Sequence, residues 1–235
     1  MAAAPVRIGA VLVGQPAPFG RPGQTSAIVK APVSGPATVG TGGVEGDRQA
    51  DLRVHGGPDK AVNHYPFDHY ATWRAELGGR DDLLSAPGAF GENLSTTGLT
   101  EADVCIGDTW RAGTALLQVS QTRQPCWKLN QRFQLQDMAA RVQQTGRTGW
   151  YWRVLEPGTV QAGDALTLAE RAWPDWPLAR LLRVFYVDVL DRDALRELAT
   201  LPCVPASWRG RAEQRLARGE VEDWGPRLGG GATRL

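Results

Sequence analysis

Two short segments of the chain share one pattern, and this pattern constrains the fold more than any other feature. Residues 104–108 (VCIGD) and 160–164 (VQAGD) each bring an apolar approach to a Gly-Asp turn, and β-prone residues follow the turn. Such a pattern is typical of hairpins, in which a tight turn joins two paired strands. Repeated hairpins of this kind occur in closed β structures. The sequence therefore predicts a β-barrel.

Other segments supply the rest of this β-rich body and two helices beside it. A helix is predicted over residues 67–77, because Pro66 can open it and Gly78 and Gly79 can end it. A second helix is predicted over residues 136–145, which end at Gly146. Apolar, β-prone runs predict strands at residues 6–13, 26–33, 114–119, 150–155 and 163–168.

The pattern changes near residue 173 from β alternation to helical periodicity. Apolar residues recur at helical spacing and predict three short helices, over residues 177–187, 191–201 and 207–218. We therefore predict an α+β protein with three parts. A mainly-β barrel domain with flanking helices spans residues 1–172, a small C-terminal three-helix domain spans residues 173–228, and a disordered tail spans residues 229–235.

Composition excludes several classes of function. The chain has 235 residues, a formal net charge of +1 and no basic stripe interleaved with aromatic residues, so dedicated nucleic-acid binding is disfavoured. The first residues carry no cationic start or long apolar run, and no segment reaches the length of a membrane span. Three cysteines without a pairing pattern fit a reducing compartment. We expect a cytoplasmic protein that does not bind membranes.

The segment QTRQPCWKL, residues 121–129, contains the candidate reactive residue, Cys126. A predicted strand precedes it, and Pro125 can open a helix over residues 126–133. A helix N-terminus and the nearby cations Arg123 and Lys128 would all favour a thiolate over a thiol. The alternative is that Cys126 is a small buried hydrophobe. We interpret Cys105 and Cys203, which have no cation nearby in the sequence, as packing residues.

Lysine is unusually scarce in this chain. Only Lys30, Lys60 and Lys128 occur, against 23 arginines. A compact ammonium can change its pKa or release a proton near neutral pH, which a guanidinium cannot do. Two of the three lysines lie in the segments that carry the candidate chemistry, although chance could also explain this.

The segment from Arg48 to residue 65 is rich in polar residues and contains or adjoins all three histidines of the chain, His55, His64 and His69. If residues 60–65 form a strand, Lys60 and His64 share a face with Val62 and Asn63 points away. If they form a helix, Lys60, Asn63 and His64 share a face. We favour the strand, and for His64 a satisfied core position is the alternative to a functional one. We expect His55 in a turn and His69 on the helix that follows.

Two other chemistries are disfavoured. A zinc site lacks support, because there is no C-x-x-C and the five-residue spacing of His64 and His69 does not suit one helix face. A Cys-His-Asn hydrolase built on Cys126, His64 and Asn63 would require two adjacent residues that point in different directions.

Three separated segments, in order, resemble one known family. They are GDRQADLRVHGGPDKAVNHYP (residues 46–66), FGENLSTTGLTE (90–101) and SQTRQPCWKL (120–129). They are similar to MOSC-domain proteins, and more narrowly to the bacterial YiiM-type 6-N-hydroxylaminopurine reductases. The resemblance covers residues 6–169 as the MOSC β-barrel and residues 173–224 as a small three-helix domain.

The resemblance implies a molybdenum cofactor (molybdopterin) whose metal is bound by Cys126. Arg48 and Asn93 match positions expected to hold the phosphate or ring of the pterin, and Arg123 is a further candidate. Lys60, Asn63 and His64 match a polar cluster near the reaction site. A soft thiolate suits molybdenum, and a phosphate suits a two-pronged Arg contact.

The function implied is reduction of N-hydroxylated compounds, such as hydroxylaminopurine-like bases, hydroxylamines or amidoximes, to amines, which would detoxify such bases. Cys126, His64, Lys60 and Asn63 are the expected catalytic residues, with His64 or Lys60 as proton donor. A separate flavin or iron–sulfur reductase would supply electrons, because the chain has no motif for either group. The alternative is a non-catalytic carrier of the cofactor, or of a persulfide, on Cys126. The resemblance leaves a homodimer open.

Overall fold

The computed structural model describes residues 6–51 and 56–230. The turn expected at His55 and the last five residues of the expected disordered tail lie outside these ranges. Within the ranges, the strands are β1 (Val6–Val13), β2 (Ala17–Pro18), β3 (Thr25–Ser26), β4 (Ala31–Pro32), β5 (Ala37–Gly40), β6 (Gly43–Val44), β7 (Val62–Pro66), β8 (Leu94–Thr96), β9 (Thr109–Ala112), β10 (Ala115–Thr122), β11 (Trp150–Glu156), β12 (Gly158–Val160) and β13 (Ala165–Glu170).

Seven of these strands close into a barrel. Neighbouring strands follow the order β13, β9, β10, β11, β7, β8, β1, and β1 pairs back to β13 to complete the ring. All neighbours are antiparallel except β7 and β8, which are parallel, so the barrel is mixed. Alternate residues of each strand face the interior, where large aromatic and branched side chains fill the space. The predicted barrel is confirmed.

Helices flank the barrel and follow it in the chain. Within the described ranges they are α1 (Asp68–Leu77), α2 (Asp81–Leu84), α3 (Lys128–Phe133), α4 (Met138–Thr145), α5 (Leu178–Tyr186), α6 (Arg192–Thr200), α7 (Ala206–Arg218) and α8 (Gly225–Gly229), with a short 3-10 turn at Pro58–Lys60. The predicted helices are all present. None of the helices described is long and apolar enough to span a membrane.

The strand predicted over residues 26–33 is wrong. Two-residue strands occupy its ends instead, with β3 paired to β2 and β4 paired to the end of β1. The segment between them leaves the sheet at Ile28, whose N–H donates to the side-chain oxygen of Ser26 at 3.2 Å. Short side-chain hydrogen bonds of this kind compete with strand pairing. The segment thereby becomes part of the wall of a cavity beside the barrel.

The C-terminal helices pack directly against the barrel. Backbone hydrogen bonds join the two parts, from Ile106 N to Trp176 O at 3.0 Å and from Leu178 N to Val104 O at 2.8 Å. Side chains of α5, α6 and α7 belong to the same buried cluster as the barrel interior. The division at residue 172 into two domains stays a prediction. The short helix α8 was not predicted, and it includes the first residue assigned to the disordered tail, Gly229.

Candidate functional site

One cavity beside the barrel gathers most of the predicted site residues. The empty space in this inner cavity, including the part that is open to solvent, is about 570 Å³. All three lysines of the chain line it, as do Cys126 and Asn63. The full set of charged and polar side chains lining it is Ser26, Lys30, Asp47, Arg48, Gln49, Lys60, Asn63, Asn93, Arg123, Cys126, Lys128 and Tyr151. Five of these are cations, and Asp47 is the only carboxylate among the described lining residues.

Cys126 lies between the end of β10 at Thr122 and the start of α3 at Lys128. The predicted helix over residues 126–133 therefore begins two residues later than expected, and Cys126 precedes its first turn. The Cys126 carbonyl accepts a hydrogen bond from Leu129 N at 2.9 Å, which turns the chain into the helix. The side chain is half-buried and lines both the inner cavity and an adjoining outer cleft.

The other two cysteines are buried outside this cavity. Burial raises the pKa of the Cys105 thiol, and the neighbouring Asp108 raises it further. Burial also raises the pKa of Cys203. Both residues therefore pack as neutral thiols, as predicted.

Strand β7 places two adjacent predicted residues on opposite faces. Asn63 pairs with Tyr151 of β11, and both line the inner cavity. His64 pairs with Trp150 and points into the barrel. The strand begins at Val62, and Lys60 ends the 3-10 turn before it. The expectation that Lys60 and His64 share a face while Asn63 points away is therefore wrong, because Lys60 lies outside the alternating segment.

His64 is fully buried and satisfied within the barrel. Its ring stacks on Trp150 with centroids 4.1 Å apart. Trp152 Nε1 donates to His64 Nδ1 at 3.3 Å, so Nε2 carries the proton and donates to Thr96 Oγ1 at 2.9 Å. Burial lowers the pKa of His64 to about 3. The core interpretation of His64 is therefore the one that fits, and neither the proton-donor role nor a Cys-His-Asn arrangement has support from its position.

Two buried polar atoms in the cavity wall have no hydrogen-bond partner within the described part of the chain. They are Asn63 Oδ1, an acceptor, and Arg123 Nη1, a donor. Asn63 is held in place by its other side-chain group, since Nδ2 donates to Gly91 O at 3.0 Å. Leaving such groups unsatisfied costs about 1–3 kcal/mol each, so a site of this kind fits a ligand that offers both a donor and an anionic acceptor.

Arg48 and Asn93, the two other predicted cofactor contacts, also line the inner cavity but differ in character. Arg48 is exposed, and its backbone is fixed by a bond from its N–H to Gly14 O at 3.0 Å. Asn93 is buried, and its amide joins two strands. Its Oδ1 accepts from Asn63 N at 3.1 Å, and its Nδ2 donates to Leu12 O at 3.1 Å. Asn93 therefore shapes the wall that presents Asn63.

The sequence did not single out Asp47, Lys30 or Tyr151 as site residues. Lys30 Nζ lies 2.5 Å from Asp47 Oδ1, and both side chains are largely buried. Burial lowers the pKa of Lys30, and the ion pair with Asp47 opposes this. Burial raises the pKa of Tyr151, which is also hydrogen-bonded to Arg123. The scarcity of lysine could have indicated Lys30 from the sequence. Tyr151 has no such signal, because only its pairing with Asn63 places it at the cavity.

An outer cleft adjoins the inner cavity and shares Lys60, Cys126, Lys128 and Tyr151 with it. Its far wall consists of side chains from the C-terminal helices, namely Ser207, Trp208, Arg211, Pro226 and Arg227. Burial lowers the pKa of Lys60, Arg211 lowers it further, and Asp59 opposes the change. Cys126 and Lys60 thus stand where the barrel cavity meets the helical wall.

The donor set of the site bears on what it can bind. Among the described residues, no three His, Cys, Asp or Glu side chains cluster as ligands for a metal ion. A metal held here by protein alone would have few ligands. A molybdenum cofactor brings its own ligands and a phosphate, and the resemblance implies that the protein adds one thiolate to the metal, cations for the phosphate and a polar partner for the ring. Cys126, the five cations and the unsatisfied atoms of Asn63 and Arg123 fit this group.

Comparison with known proteins agrees with the architecture of a barrel followed by helices. The MOSC domain matches residues 51–167, and the YiiM-like, 3-alpha helix domain matches residues 176–219. Protein YiiM of Escherichia coli K12 is 42% identical over 208 residues, which span 88% of this chain and 92% of that protein. The crystal structure of YiiM from Geobacillus stearothermophilus superposes with a TM-score of 0.77 at 38% identity, covering 90% of this chain and 100% of that one.

A protein named "Reductase" from Gibberella moniliformis is 42% identical over 179 residues, which span 76% of this chain but only 32% of that protein. The order of the two domains, the barrel fold and the coverage of both chains all point to the same family. The chain belongs to the MOSC-domain family and, within it, to the YiiM-like proteins.

Proposed function

We propose that the inner cavity binds a molybdenum cofactor with Cys126 as the protein ligand of the metal, and that the protein reduces N-hydroxylated compounds to amines. The observation that carries this proposal is the convergence of one half-buried cysteine with all three lysines and two arginines around a single cavity. The fungal relative named "Reductase" supports an oxidoreductase activity. Hydroxylaminopurine-like bases, hydroxylamines and amidoximes are the proposed substrates.

The cavity residues divide the task of holding the cofactor. Arg123 Nη1 and the exposed guanidinium of Arg48 would bind its phosphate, which suits a planar cation. Asn63 Oδ1 would accept a hydrogen bond from an N–H of its ring. Asn93 would keep Asn63 in position through the backbone contact described above. Lys30, paired with Asp47, would supply charge from the buried side of the wall.

When bound, the cofactor supplies the two-electron oxygen-atom transfer that reductive cleavage of an N–O bond requires. Such cleavage also consumes protons, and Lys60 is the side chain that would donate one. It lines the cavity and the cleft together with Cys126, and its lowered pKa brings the ammonium closer to the range in which proton donation is efficient. His64, buried on the other face of β7, would have only a structural role.

Electrons would come from a separate reductase that carries a flavin or an iron–sulfur cluster. The outer cleft is the face through which substrate, and electrons from this partner, would approach Cys126. The alternative is a non-catalytic carrier that only delivers the cofactor and would require no proton donor. A catalytic function of Lys60 would therefore distinguish the reductase from the carrier.

Molybdenum analysis tests the proposal directly. Protein produced in a host that makes the cofactor should contain about one molybdenum per chain. Cys126→Ser should lose most of it, because a hydroxyl is a poor ligand for a soft metal. Cys105→Ser is the matched control and should retain metal, since Cys105 is buried outside the cavity. Equal molybdenum in the Cys126→Ser variant and the wild type would reject the assignment.

A further inference from the structure

A C-terminal strap, residues 222–230, connects the helical region to the loop that carries Cys126. It begins at Glu222, whose carboxylate receives two hydrogen bonds from Arg215, at 2.9 Å and 3.0 Å. Arg215 lies on α7 and is only 1% exposed. Trp224 adds a hydrogen bond to the same carboxylate at 3.2 Å and packs edge-on against Tyr186. This end of the strap is therefore fixed to the helices.

The other end of the strap holds both neighbours of Cys126. Arg227 Nη1 donates to the carbonyl of Pro125 at 2.5 Å, and the Arg227 carbonyl accepts from Trp127 N at 2.8 Å. One residue thus bonds to the peptide groups immediately before and after the cysteine. The guanidinium is itself anchored, because Nη2 donates to Gln143 Oε1 at 2.5 Å.

Two further contacts keep the strap seated on this loop. Asn130 Nδ2, one helical turn beyond Cys126, donates to Leu228 O at 2.8 Å. Arg21, from the opposite side, hydrogen-bonds to Gly230 O and stacks over the Trp127 ring at 5.0 Å. The strap lies beyond both family matches, which end at residues 167 and 219.

We infer that Arg227 is a positioning residue that fixes Cys126 at the junction of cavity and cleft. A half-buried cysteine on a loop must hold its sulfur within about 0.5 Å to bind a metal or substrate productively, and this depends on the groups that support the loop. Hydrogen bonds from a charged donor are stronger than those between neutral groups, so Arg227 can select one loop conformation. The consequence for metal retention rests on the proposed function, but the restraint on the loop does not.

Amide exchange in the metal-free protein tests the restraint. Arg227→Met removes the bond to Pro125 O and the anchor to Gln143, and keeps an apolar side chain of similar length. We expect the Trp127 amide to exchange about tenfold faster by hydrogen–deuterium exchange with residue-level fragmentation. Arg227→Lys should restore part of the protection, because an ammonium can donate to one of the two acceptors. Arg218→Met, an exposed arginine on α7, is the matched control and should not change exchange at Trp127.

Molybdenum retention supplies the second readout. In protein loaded with cofactor, Arg227→Met should lose metal several times faster than the wild type during gel filtration, with Arg227→Lys between them. Amides of β10 report whether the fold is intact in each variant. Wild-type exchange at Trp127 in Arg227→Met with a protected β10 would overturn the inference. Faster exchange with unchanged retention would support the restraint on the loop and overturn its consequence for the metal. Failure of the wild type to bind molybdenum would reject the proposed function, and the exchange result would still decide the restraint.

Discussion

At the scale of single residues, the most informative side chain is His64, because its chemistry is set by the face of the strand on which it falls. It is one of the three residues that the motif resemblance placed near the reaction, yet the alternation of β7 turns it toward Trp150 and Trp152. Its neighbour Asn63 takes the cavity face. Because neighbouring residues of a strand face opposite sides, a shift of one residue in the register of β7 decides whether His64 or Asn63 faces the inner cavity.

The lowered pKa of His64 predicts a specific dependence of stability on pH. His64 titrates near 6.5 in the unfolded chain and about 3 in the folded one, so between these values the unfolded chain binds more protons. Stability should therefore fall as pH falls, by about 2 kcal/mol from this group between about pH 7.5 and about pH 5. Urea unfolding at both pH values measures it.

The control for this prediction is His64→Phe, which keeps a flat ring against Trp150 but cannot be protonated. We expect this variant to be less stable overall, because Trp152 Nε1 loses its acceptor. The difference in unfolding free energy between the two pH values should nevertheless be smaller than in wild type by about 2 kcal/mol. An equal pH dependence in both proteins would contradict the lowered pKa.

Lys60 carries the corresponding prediction for turnover. Lys60→Met should keep its molybdenum but reduce an N-hydroxylated base, with an artificial reductant, about a hundredfold more slowly. Lys60→Arg should not recover the rate, because a guanidinium keeps its proton near neutral pH. Full recovery with arginine would show that the site requires only charge at this position, and Lys60 would not be the donor.

At the scale of elements, the site depends on the junction where the segment before β11 crosses β7. Gly149 lies there with a φ of +69°, and an added Cβ would come within 2.2 Å of His64 O. Its carbonyl accepts from Arg123 N at 3.0 Å. The same glycine therefore sets the approach of β11 to β7 and the backbone position of a cavity arginine.

Gly149→Ala should destabilise the fold by about 3 kcal/mol or more, since it combines a left-handed backbone with a backbone collision. Gly219, with a φ of +68° and nothing within 4 Å of an added Cβ, is the matched control. Gly219→Ala carries the conformational cost alone and should lose about 1–2 kcal/mol. Urea unfolding of both variants measures the difference. Equal losses would mean that the strands at Gly149 separate without cost.

The elements themselves could mostly be predicted from the sequence. Apolar periodicity was sufficient for α5 to α7, whereas α1 was predicted from Pro66 before it and from Gly78 and Gly79 after it. Periodicity failed at β7, where all five residues are buried, so no alternation of buried and exposed positions reveals the register. It also failed for the cavity wall, since Lys30, Asp47 and Tyr151 come from distant segments that only the closed barrel brings together. Cys126 could be predicted as a site residue because its motif is a single continuous segment.

At the scale of the whole molecule, the helical region and the barrel share one apolar interior. Leu178, Leu181 and Phe185 of α5 and Trp208 of α7 are buried in the cluster that also contains Val104 and Ile106. The outer cleft, too, takes one wall from each part. The two family matches thus describe regions that fold against each other, and the boundary between them crosses a continuous core.

A chain that ends at Ala172 should therefore aggregate or unfold at lower temperature, because it exposes the apolar barrel surface that the helices cover. Size-exclusion chromatography and thermal unfolding of the truncated and full-length proteins measure this. A monodisperse truncated protein with full-length stability that also binds molybdenum would instead support two independent domains.

The concentration of lysines around one cavity has a practical consequence for handling this protein. Apart from the terminal amine, Lys30, Lys60 and Lys128 are the only primary amines of the chain, and all three line the inner cavity. Amine-directed dyes, crosslinkers and sensor-chip coupling, which on most proteins spread over the surface, would here be confined to the terminal amine and to Lys60 and Lys128 at that opening, because Lys30 is largely buried. Protein immobilised through a lysine would be attached at the inner cavity, so coupling through an appended tag is preferable.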